Sequence, residues 1–276
     1  MVLLQDDYVK LVGFVKSRYG INLENKYSLI ENRLSNYIIS RGFRSFSSFF
    51  AYVFADESRY EITNIINLLT TNYTYFMREV EHFKHLTETF LPYADNNITD
   101  NDLRIWSAGC SYGNEPYNIA MCIDEYFGFR KYGWDCKVLA TDISINALQI
   151  AKDAVYNVEA LEALSGKWID KYFVKLTDKK YQVCDRIRNE VVFRFHNLMD
   201  PIKFKKQFDL ILCRNVMIYF DTPTKDALSD RFYDATEDNG FLYIGHAETL
   251  SNNTKYERQQ PAVYRKETVI PKIIIE

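Results

Sequence analysis

A glycine-bracketed turn is the first feature of this sequence that could carry chemistry. Residues 105–121 read IWSAGCSYGNEPYNIAM, an apolar run followed by a turn between Gly109 and Gly113 and then by a helical pattern. Such turns usually bind phosphate, because a helix start presents free backbone N–H groups and a partial positive charge. Here the carboxylate of Glu115 would repel a phosphate. The stretch therefore predicts a nucleotide-like ligand without a phosphate, although a bare tight turn would also explain the glycines.

Polar residues also follow three other apolar runs that are typical of buried strands: Asp142 after VLAT, Asn197 after VVFRFH, with Leu198 next to it, and Arg214, Asn215 and Tyr219 after FDLILC. In open α/β sheets, ligands bind beyond the carboxyl ends of the strands. Asp142 is then placed to accept the hydroxyls of a ribose, and Asn197 to bond an adenine edge while Leu198 packs against the ring. A helix cap at Asp142 and a turn at Asn197 are the structural alternatives.

S-adenosylmethionine fits this combination of residues. Its adenosine suits Asp142 and Asn197, its amino group and sulfonium are compatible with Glu115, and its methionine carboxylate can meet backbone N–H groups of the turn at Gly109. A nicotinamide-dependent oxidoreductase fits less well, because the pyrophosphate of the dinucleotide would face Glu115.

The elements that must position these residues form two regions. Apolar residues at helical spacing predict a helical N-terminal domain over residues 1–75. A helix and a linker follow in 76–100, with the linker at LPYADNNITDND. Short apolar runs then alternate with helical patterns over 101–276, which predicts an α/β domain whose parallel sheet has helices on both faces. Within it, residues 168–195 read as a small inserted antiparallel β-subdomain.

Composition argues against several classes of protein. No apolar run reaches the ~18 residues of a membrane span, and the N-terminus lacks a signal-peptide pattern, so we expect a cytoplasmic protein. The five cysteines form no CxxC pair, which indicates reduced, buried thiols. The net charge of −3 disfavours general nucleic-acid binding. His82 and His85 have HxxH spacing but no third ligand nearby in the sequence, so we expect no metal site.

Five segments, in order and spacing, resemble the chemotaxis receptor methyltransferases of the CheR family: LLTTNYTYFMREVEHF, IWSAGCSYGNEPYNIAM, VLATDISINALQIAKDAVY, FDLILCRNVMIYFD and YIGHAETL. The resemblance covers nearly the whole chain. It implies a class I, Rossmann-like S-adenosylmethionine-dependent methyltransferase domain behind an all-α domain, and methylation of receptor glutamates in sensory adaptation. It also implies cofactor contacts at Asn72, Thr74, Arg78, Glu115, Asp142, Asn197, Leu198, Arg214 and Asn215. The family often has Glu-Glu-Pro where this chain has Asn114-Glu115-Pro116, a departure that leaves one carboxylate.

Transfer of a methyl group to a glutamate needs no general base, because a carboxyl group with a pKa of about 4.3 is already ionised at neutral pH. The protein must instead align two groups and exclude water. Arg78 and Tyr219 are the candidate catalytic residues. The Arg78 guanidinium could hold either the substrate's or the cofactor's carboxylate. A non-catalytic cofactor-binding module and a methyltransferase for a small molecule or nucleic acid are the rival functions.

The front of the chain is basic. Residues 1–50 carry a net charge of +3, and the remainder carries −6. Arg33, Arg41 and Arg44 lie on or just after the second predicted helix and are candidates for binding acidic helices of methyl-accepting chemotaxis receptors, although solvated charge explains them equally well. Some family members bind a receptor tail through an enlarged loop of the β-subdomain. This chain has only LTDKKY there, so we expect tail-independent binding, and we expect a monomer.

Overall fold

A computed structural model describes residues 1–55, 60–70 and 73–268. Its α-helices are α1 Gln5–Tyr19, α2 Tyr27–Ser40, α3 Phe46–Ala55, α4 Tyr60–Leu69, α5 Val80–His85, α6 Leu91–Asn97, α7 Asn114–Phe127, α8 Ile145–Asp153, α9 Gly166–Tyr172, α10 Asp185–Arg188 and α11 Thr222–Ala235. Its strands are β1 Ile105–Ala108, β2 Val138–Asp142, β3 Val155–Asn157, β4 Phe173–Lys175, β5 Lys180–Val183, β6 Val191–Phe195, β7 Phe208–Cys213, β8 Thr236–Ile244, β9 Glu257–Gln260 and β10 Val263–Arg265.

Helix α1 illustrates how the sequence specifies the N-terminal helices α1–α4. Leu11, Val15 and Tyr19 recur about one turn apart, and all three are buried. Gly20 then ends the helix in the left-handed conformation, at φ 70°, where its N–H bonds the carbonyl of Lys16. A Cβ at Gly20 would lie 2.6 Å from Met199 Sδ. Glycine is therefore required both for the turn and for close packing against the second domain.

The large sheet has the strand order β6-β2-β1-β7-β8-β10-β9. The first five strands of that order run parallel, whereas β10 pairs antiparallel with both β8 and β9. The chain leaves β1 towards β2 on one side and later returns to pair β7 on its other side. Since loops diverge at such a reversal, a crevice opens beyond the carboxyl ends of β1, β2 and β7. The predicted Rossmann-like α/β fold is confirmed.

Both faces of this sheet are covered, as its alternating side chains require. Ile105 and Leu210 belong to a core packed with α5–α7, whereas their neighbours Trp106 and Ile211 belong to a core shared with α1–α4. The N-terminal helices therefore pack directly on one face of the sheet. A bridge between Ile21 and Phe220 extends this contact to the edge of the crevice.

The small sheet, in the order β3-β5-β4, is antiparallel as predicted, but its limits differ from 168–195. It begins with β3, which follows α8 after a single residue and lies before the predicted insertion. Ala154, which is buried, ends α8 because its backbone adopts the left-handed conformation, at φ 54°. At the other end, β6 pairs with β2 and so belongs to the large sheet. The inserted sheet is thus built partly from residues before the predicted insertion.

The predicted linker is also partly wrong. Leu91–Asn97 forms α6, directly after a π-helical turn at Leu86–Phe90. Pro92 lies in the first turn of α6, where a missing N–H does no harm, and Leu91 and Ala94 are buried. Burial of this short apolar face outweighs the polar composition. None of the helices in the described part of the chain has the length and apolar character of a membrane-spanning segment.

Candidate functional site

A cleft lies beyond the carboxyl ends of β1, β2 and β7. Its volume is about 1050 Å³, which includes space open to solvent. It gathers predicted residues from distant parts of the sequence: Thr74, Arg78, Gly109, Glu115, Asp142, Asn197, Leu198, Arg214, Asn215 and Tyr219. Asn72 lies outside the described residues. The helical domain closes one side of the cleft through Tyr19, Ile21 and Ile66. The mixed polar and apolar lining suits a nucleoside, which has apolar ring faces and polar edges.

The glycine turn brings the backbone close to the floor of this cleft. Gly109 has φ +87°, and a Cβ there would lie 2.4 Å from Val216 Cγ2. The N–H groups of Gly109 and Cys110 both bond the carbonyl of Thr141, at 2.8 and 2.9 Å, and that of Gly113 bonds the carbonyl of Cys110. The expectation that such turn N–H groups receive the ligand's carboxylate is therefore wrong for these residues, because the protein already uses them.

Asp142 connects the glycine turn to the end of β2 through hydrogen bonds. Its Oδ2 accepts from the N–H of Ser111 and its Oδ1 from the N–H of Ser144, both at 2.8 Å. The cap of α8 is instead the Ser144 hydroxyl, which accepts from the N–H of Ala147. Asp142 is thus not the helix cap, and its carboxylate retains capacity to accept further hydrogen bonds. Burial raises the pKa of Asp142, although its backbone hydrogen bonds act in the opposite direction.

A buried arginine joins two carboxylates at the centre of the cleft. The side chain of Arg214 is only 3% exposed, and its Nη1 and Nη2 lie 2.9 Å from Glu115 Oε2 and 3.1 Å from Glu79 Oε2. Glu115 Oε1 also accepts from the Ser107 hydroxyl at 2.7 Å. Since both carboxylates compensate the charge of Arg214, its guanidinium serves this internal network rather than a free anion.

Sequence reasoning missed Glu79, which has the most connections in this network. Its oxygens also accept from Asn215 Nδ2 at 3.1 Å and from the backbone N–H of His246 at 3.2 Å. Burial alone would raise the pKa of Glu79, but the neighbouring His82, the charge of Arg214 and these donors together lower it well below its usual range. Its signals in the sequence were its position directly after Arg78 and its place in the quoted segment LLTTNYTYFMREVEHF.

Glu248 is a second residue that sequence reasoning did not single out. It is buried and accepts from the backbone N–H groups of Gly245, Asn215 and Ile218, at 2.6, 2.9 and 3.0 Å. These bonds hold Asn215 at φ +59° and connect the loop after β7 to the loop after β8. Burial raises the pKa of Glu248 against the effect of those bonds. Its place in the quoted segment YIGHAETL was the available signal.

Arg78 lines the cleft and lies between two residues whose backbone is in the left-handed region. Met77 and Glu79, on either side of it, have φ values of 59° and 56° in the left-handed region. Asn118 Oδ1 accepts from the N–H of Met77 at 2.9 Å, and Arg214 donates to the carbonyl of Arg78. The guanidinium of Arg78 donates to the carbonyl of Tyr73 at 2.5 Å. The surrounding contacts therefore fix the backbone while the side chain faces the cleft.

Asn197 and Tyr219 connect the cleft to the helical domain. Asn197 Nδ2 donates to the carbonyl of Arg18 at 2.7 Å, and its Oδ1 accepts from the N–H of Met199 at 3.0 Å. The turn that was the structural alternative for Asn197 is therefore present, in the bond from Met199 to Oδ1. One hydrogen on Nδ2 and one lone pair on Oδ1 remain for a ligand. The carbonyl of Tyr219 accepts from the N–H of Asn22 at 2.7 Å. Leu198 is buried beside them in the cleft wall.

Two of the three arginines predicted to bind a partner have contacts within the chain. Arg41 forms an ion pair with Glu61, which is only 1% exposed, and Arg33 donates to the carbonyl of Leu68 at 2.9 Å. Arg44 lies just beyond α2 and is exposed. The charge of Arg41 is therefore used to compensate a buried carboxylate, which leaves Arg44 as the better candidate for an external contact.

Comparison with known proteins identifies the family of this chain. Residues 72–265 match the family described as CheR methyltransferase, SAM binding domain, and residues 6–70 match its all-alpha domain. The chain belongs to the CheR methyltransferase family. It is 39% identical over 269 residues to the chemotaxis protein methyltransferase of Borreliella burgdorferi, covering 96% of this chain and 95% of that one. It is 32% identical over 257 residues to that of Salmonella typhimurium, covering 91% and 86%.

Membership of the CheR family confirms the predicted methyltransferase activity and its cofactor, S-adenosylmethionine. The geometry of the cleft suits this cofactor. Glu115 and Asp142 line the cleft and supply negative charge and hydrogen-bond acceptors beside a cationic ligand. The two matched regions meet between residues 70 and 72, close to the predicted end of the helical domain at residue 75.

Proposed function

We propose that this CheR-family methyltransferase esterifies glutamate side chains of methyl-accepting chemotaxis receptors. The observation that carries the proposal is the bonding state of the two arginines in the cleft. Arg214 is compensated by Glu79 and Glu115, whereas Arg78 has no carboxylate partner among the described residues. Arg78 is therefore a guanidinium at the cleft that retains the capacity to hold an incoming carboxylate.

The residues of the cleft divide into binding and positioning groups. Asp142, Asn197 and Leu198 would hold the adenosine, and Glu115 would face the cationic end of the cofactor. Thr74, Arg78 and Asn215 would complete the contacts around its methionine part. When bound, S-adenosylmethionine supplies a methyl group made electrophilic by the adjoining sulfonium.

The receptor glutamate reacts in its ionised form. One carboxylate oxygen forms a bond to the methyl carbon while the carbon–sulfur bond breaks, and the bonding electrons neutralise the sulfonium, so no proton is transferred. Arg78 and Tyr219 would orient the carboxylate, and the apolar wall at Phe220 and Ile143 would exclude water. Such alignment can contribute about 7 to 11 kcal/mol in favourable cases. This chemistry explains why the cleft requires no histidine base.

The receptor would approach over the helical domain, which forms one side of the cleft. Exposed Arg44 would meet an acidic receptor helix by long-range attraction, and Arg33 would contribute to the same field. Both lie in the region of net positive charge at the front of the chain.

A labelling assay tests the proposal. The protein is incubated with methyl-labelled S-adenosylmethionine and with receptor-bearing membranes, and the labelled product is then treated with mild alkali. A glutamyl methyl ester releases its label as volatile methanol, whereas a methylated amine retains it. Alkali-stable label, label only on small molecules or nucleic acid, or cofactor binding without any transfer would each contradict the proposal. Arg78→Ala, at unchanged folding, is expected to lose the transfer.

A further inference from the structure

His82 has a buried imidazole whose Nε2 has no hydrogen-bond partner among the described residues. The residue is 2% exposed; its Nδ1 has only the ion-pair contact with Glu79 Oε2, and its Nε2 has no hydrogen bond within the described structure. Buried polar atoms are nearly always paired, so a buried imidazole with an unpaired nitrogen is a candidate ligand for an ion. The ring packs between Tyr243, with centroids 5.3 Å apart, and His246, with centroids 4.7 Å apart.

The surroundings of His82 supply further metal-binding groups. Its Nδ1 lies 3.3 Å from Glu79 Oε2, and the ligand atoms of Glu79, His82 and His246 all lie within 4.8 Å of one another. Two ligands bound tetrahedrally at about 2.0–2.1 Å from a zinc ion are themselves about 3.3 Å apart. The Glu79–His82 separation therefore already matches the distance between two ligands of a tetrahedral zinc ion. The exposed ring of His246 can supply the third ligand.

We propose that Glu79, His82 and His246 form a binding site for a divalent transition-metal ion that favours imidazole, such as Zn²⁺. Two imidazoles and one carboxylate leave a fourth position for solvent, as in open zinc sites. His82 and His85 have HxxH spacing, but the sequence predicted no metal site, and the proposed site departs from that expectation. His85 Nδ1 bonds the Tyr243 hydroxyl at 2.5 Å and takes no part in this cluster. His246 lies after β8, about 160 residues beyond His82, so sequence spacing could not show that the two residues are neighbours.

The charge around the cluster permits a cation. Arg214 lies next to Glu79, but Glu115 also pairs with Arg214, so the three charged groups sum to −1. A metal on Glu79 would compete with Arg214 and Asn215 for the same carboxylate. Metal binding is therefore expected to loosen the loop that carries Arg214 and Asn215. On the proposed cofactor site, it would lower the affinity for S-adenosylmethionine.

Cobalt provides a direct test on the full chain after treatment with EDTA. Co²⁺ added without cofactor is expected to bind one ion per chain and to give visible d–d bands of a four-coordinate complex. His246→Ala, which changes an exposed ring, is expected to weaken this binding by at least about tenfold. The matched control His85→Gln is expected to bind Co²⁺ as the wild type does. Featureless spectra, an unchanged His246→Ala titration, or a sulfur-to-cobalt charge-transfer band would overturn the site.

Coupling to the cofactor is tested separately by calorimetry. Zn²⁺ is expected to weaken binding of S-adenosylmethionine, and the cofactor is expected to weaken Zn²⁺ binding by the same factor, because linkage is reciprocal. Equal affinities with and without Zn²⁺ would overturn the coupling. If the cofactor did not bind at all, the proposed function would fail while the cobalt spectra would still decide the metal site.

Discussion

Replacing Glu79 by Gln perturbs the most connected carboxylate of the cleft. Four donors share its two oxygens: Nε and Nη2 of Arg214, Nδ2 of Asn215 and the N–H of His246. Glutamine keeps one acceptor oxygen. An NH₂ group replaces the second oxygen and therefore faces groups that are themselves donors. About half of these contacts should be lost, whereas Glu115 still compensates Arg214. We therefore expect the free energy of unfolding to fall by about 2 to 4 kcal/mol at pH 7.

The pH dependence of this difference gives a sharper test. The pKa of Glu79 is lower in the folded chain than its ordinary value of 4.5, so its charge stabilises the fold above that value. The stabilisation is lost as the pH falls from there towards the folded pKa. The difference in unfolding free energy between wild type and Glu79→Gln is thus expected to be full near neutral pH and to shrink progressively below about pH 4.

Urea unfolding at a series of pH values measures both quantities. Glu81→Gln is the matched control, because Glu81 lies on α5 and forms an exposed ion pair with Lys84 at 2.8 Å. Its effect on stability is expected to be too small to resolve. Wild-type stability in Glu79→Gln, or a difference that does not change in acid, would refute the view that Glu79 holds the network together through its charge.

Three other substitutions test separate parts of the account. Gly109→Ala should destabilise the chain by about 2 to 4 kcal/mol, because a Cβ meets Val216 at a positive φ; urea unfolding measures this, and wild-type stability would contradict it. Arg44→Glu should raise the KM for receptor at low salt and have little effect at high salt; an unchanged low-salt KM would remove it from the interface. Arg41→Glu should instead lower the melting temperature, because buried Glu61 would face a like charge, and an unchanged temperature would contradict that reading.

Rules about strand ends and turns could predict most of the cleft from the sequence. Polar residues after buried strands had to meet at one edge of a parallel sheet, so Asp142 and Arg214 could be placed without coordinates. Gly109 could be identified from the glycine-bracketed turn pattern, and its positive φ and close approach to Val216 explain why glycine is needed there. These predictions depend on local chemistry and on the geometry common to all doubly wound sheets.

Pairings between distant residues could not be predicted in this way. Glu79 meets Arg214 across 135 positions and His246 across 167, and nothing in its local sequence specifies either partner. The strand β3 was missed for a related reason. Its residues Val155–Asn157 continue a helical pattern, and only pairing with β5 makes them a strand. Tertiary contacts here override the local preference.

Calorimetric titration of the wild-type protein tests the central claim most directly, namely that this acidic cleft binds a cationic adenosine compound. S-adenosylmethionine is expected to bind one molecule per chain, and Asp142→Asn is expected to weaken that binding. A diphosphate dinucleotide such as NAD is expected to give no measurable heat of binding. Tight binding of the dinucleotide with none of S-adenosylmethionine would contradict the account.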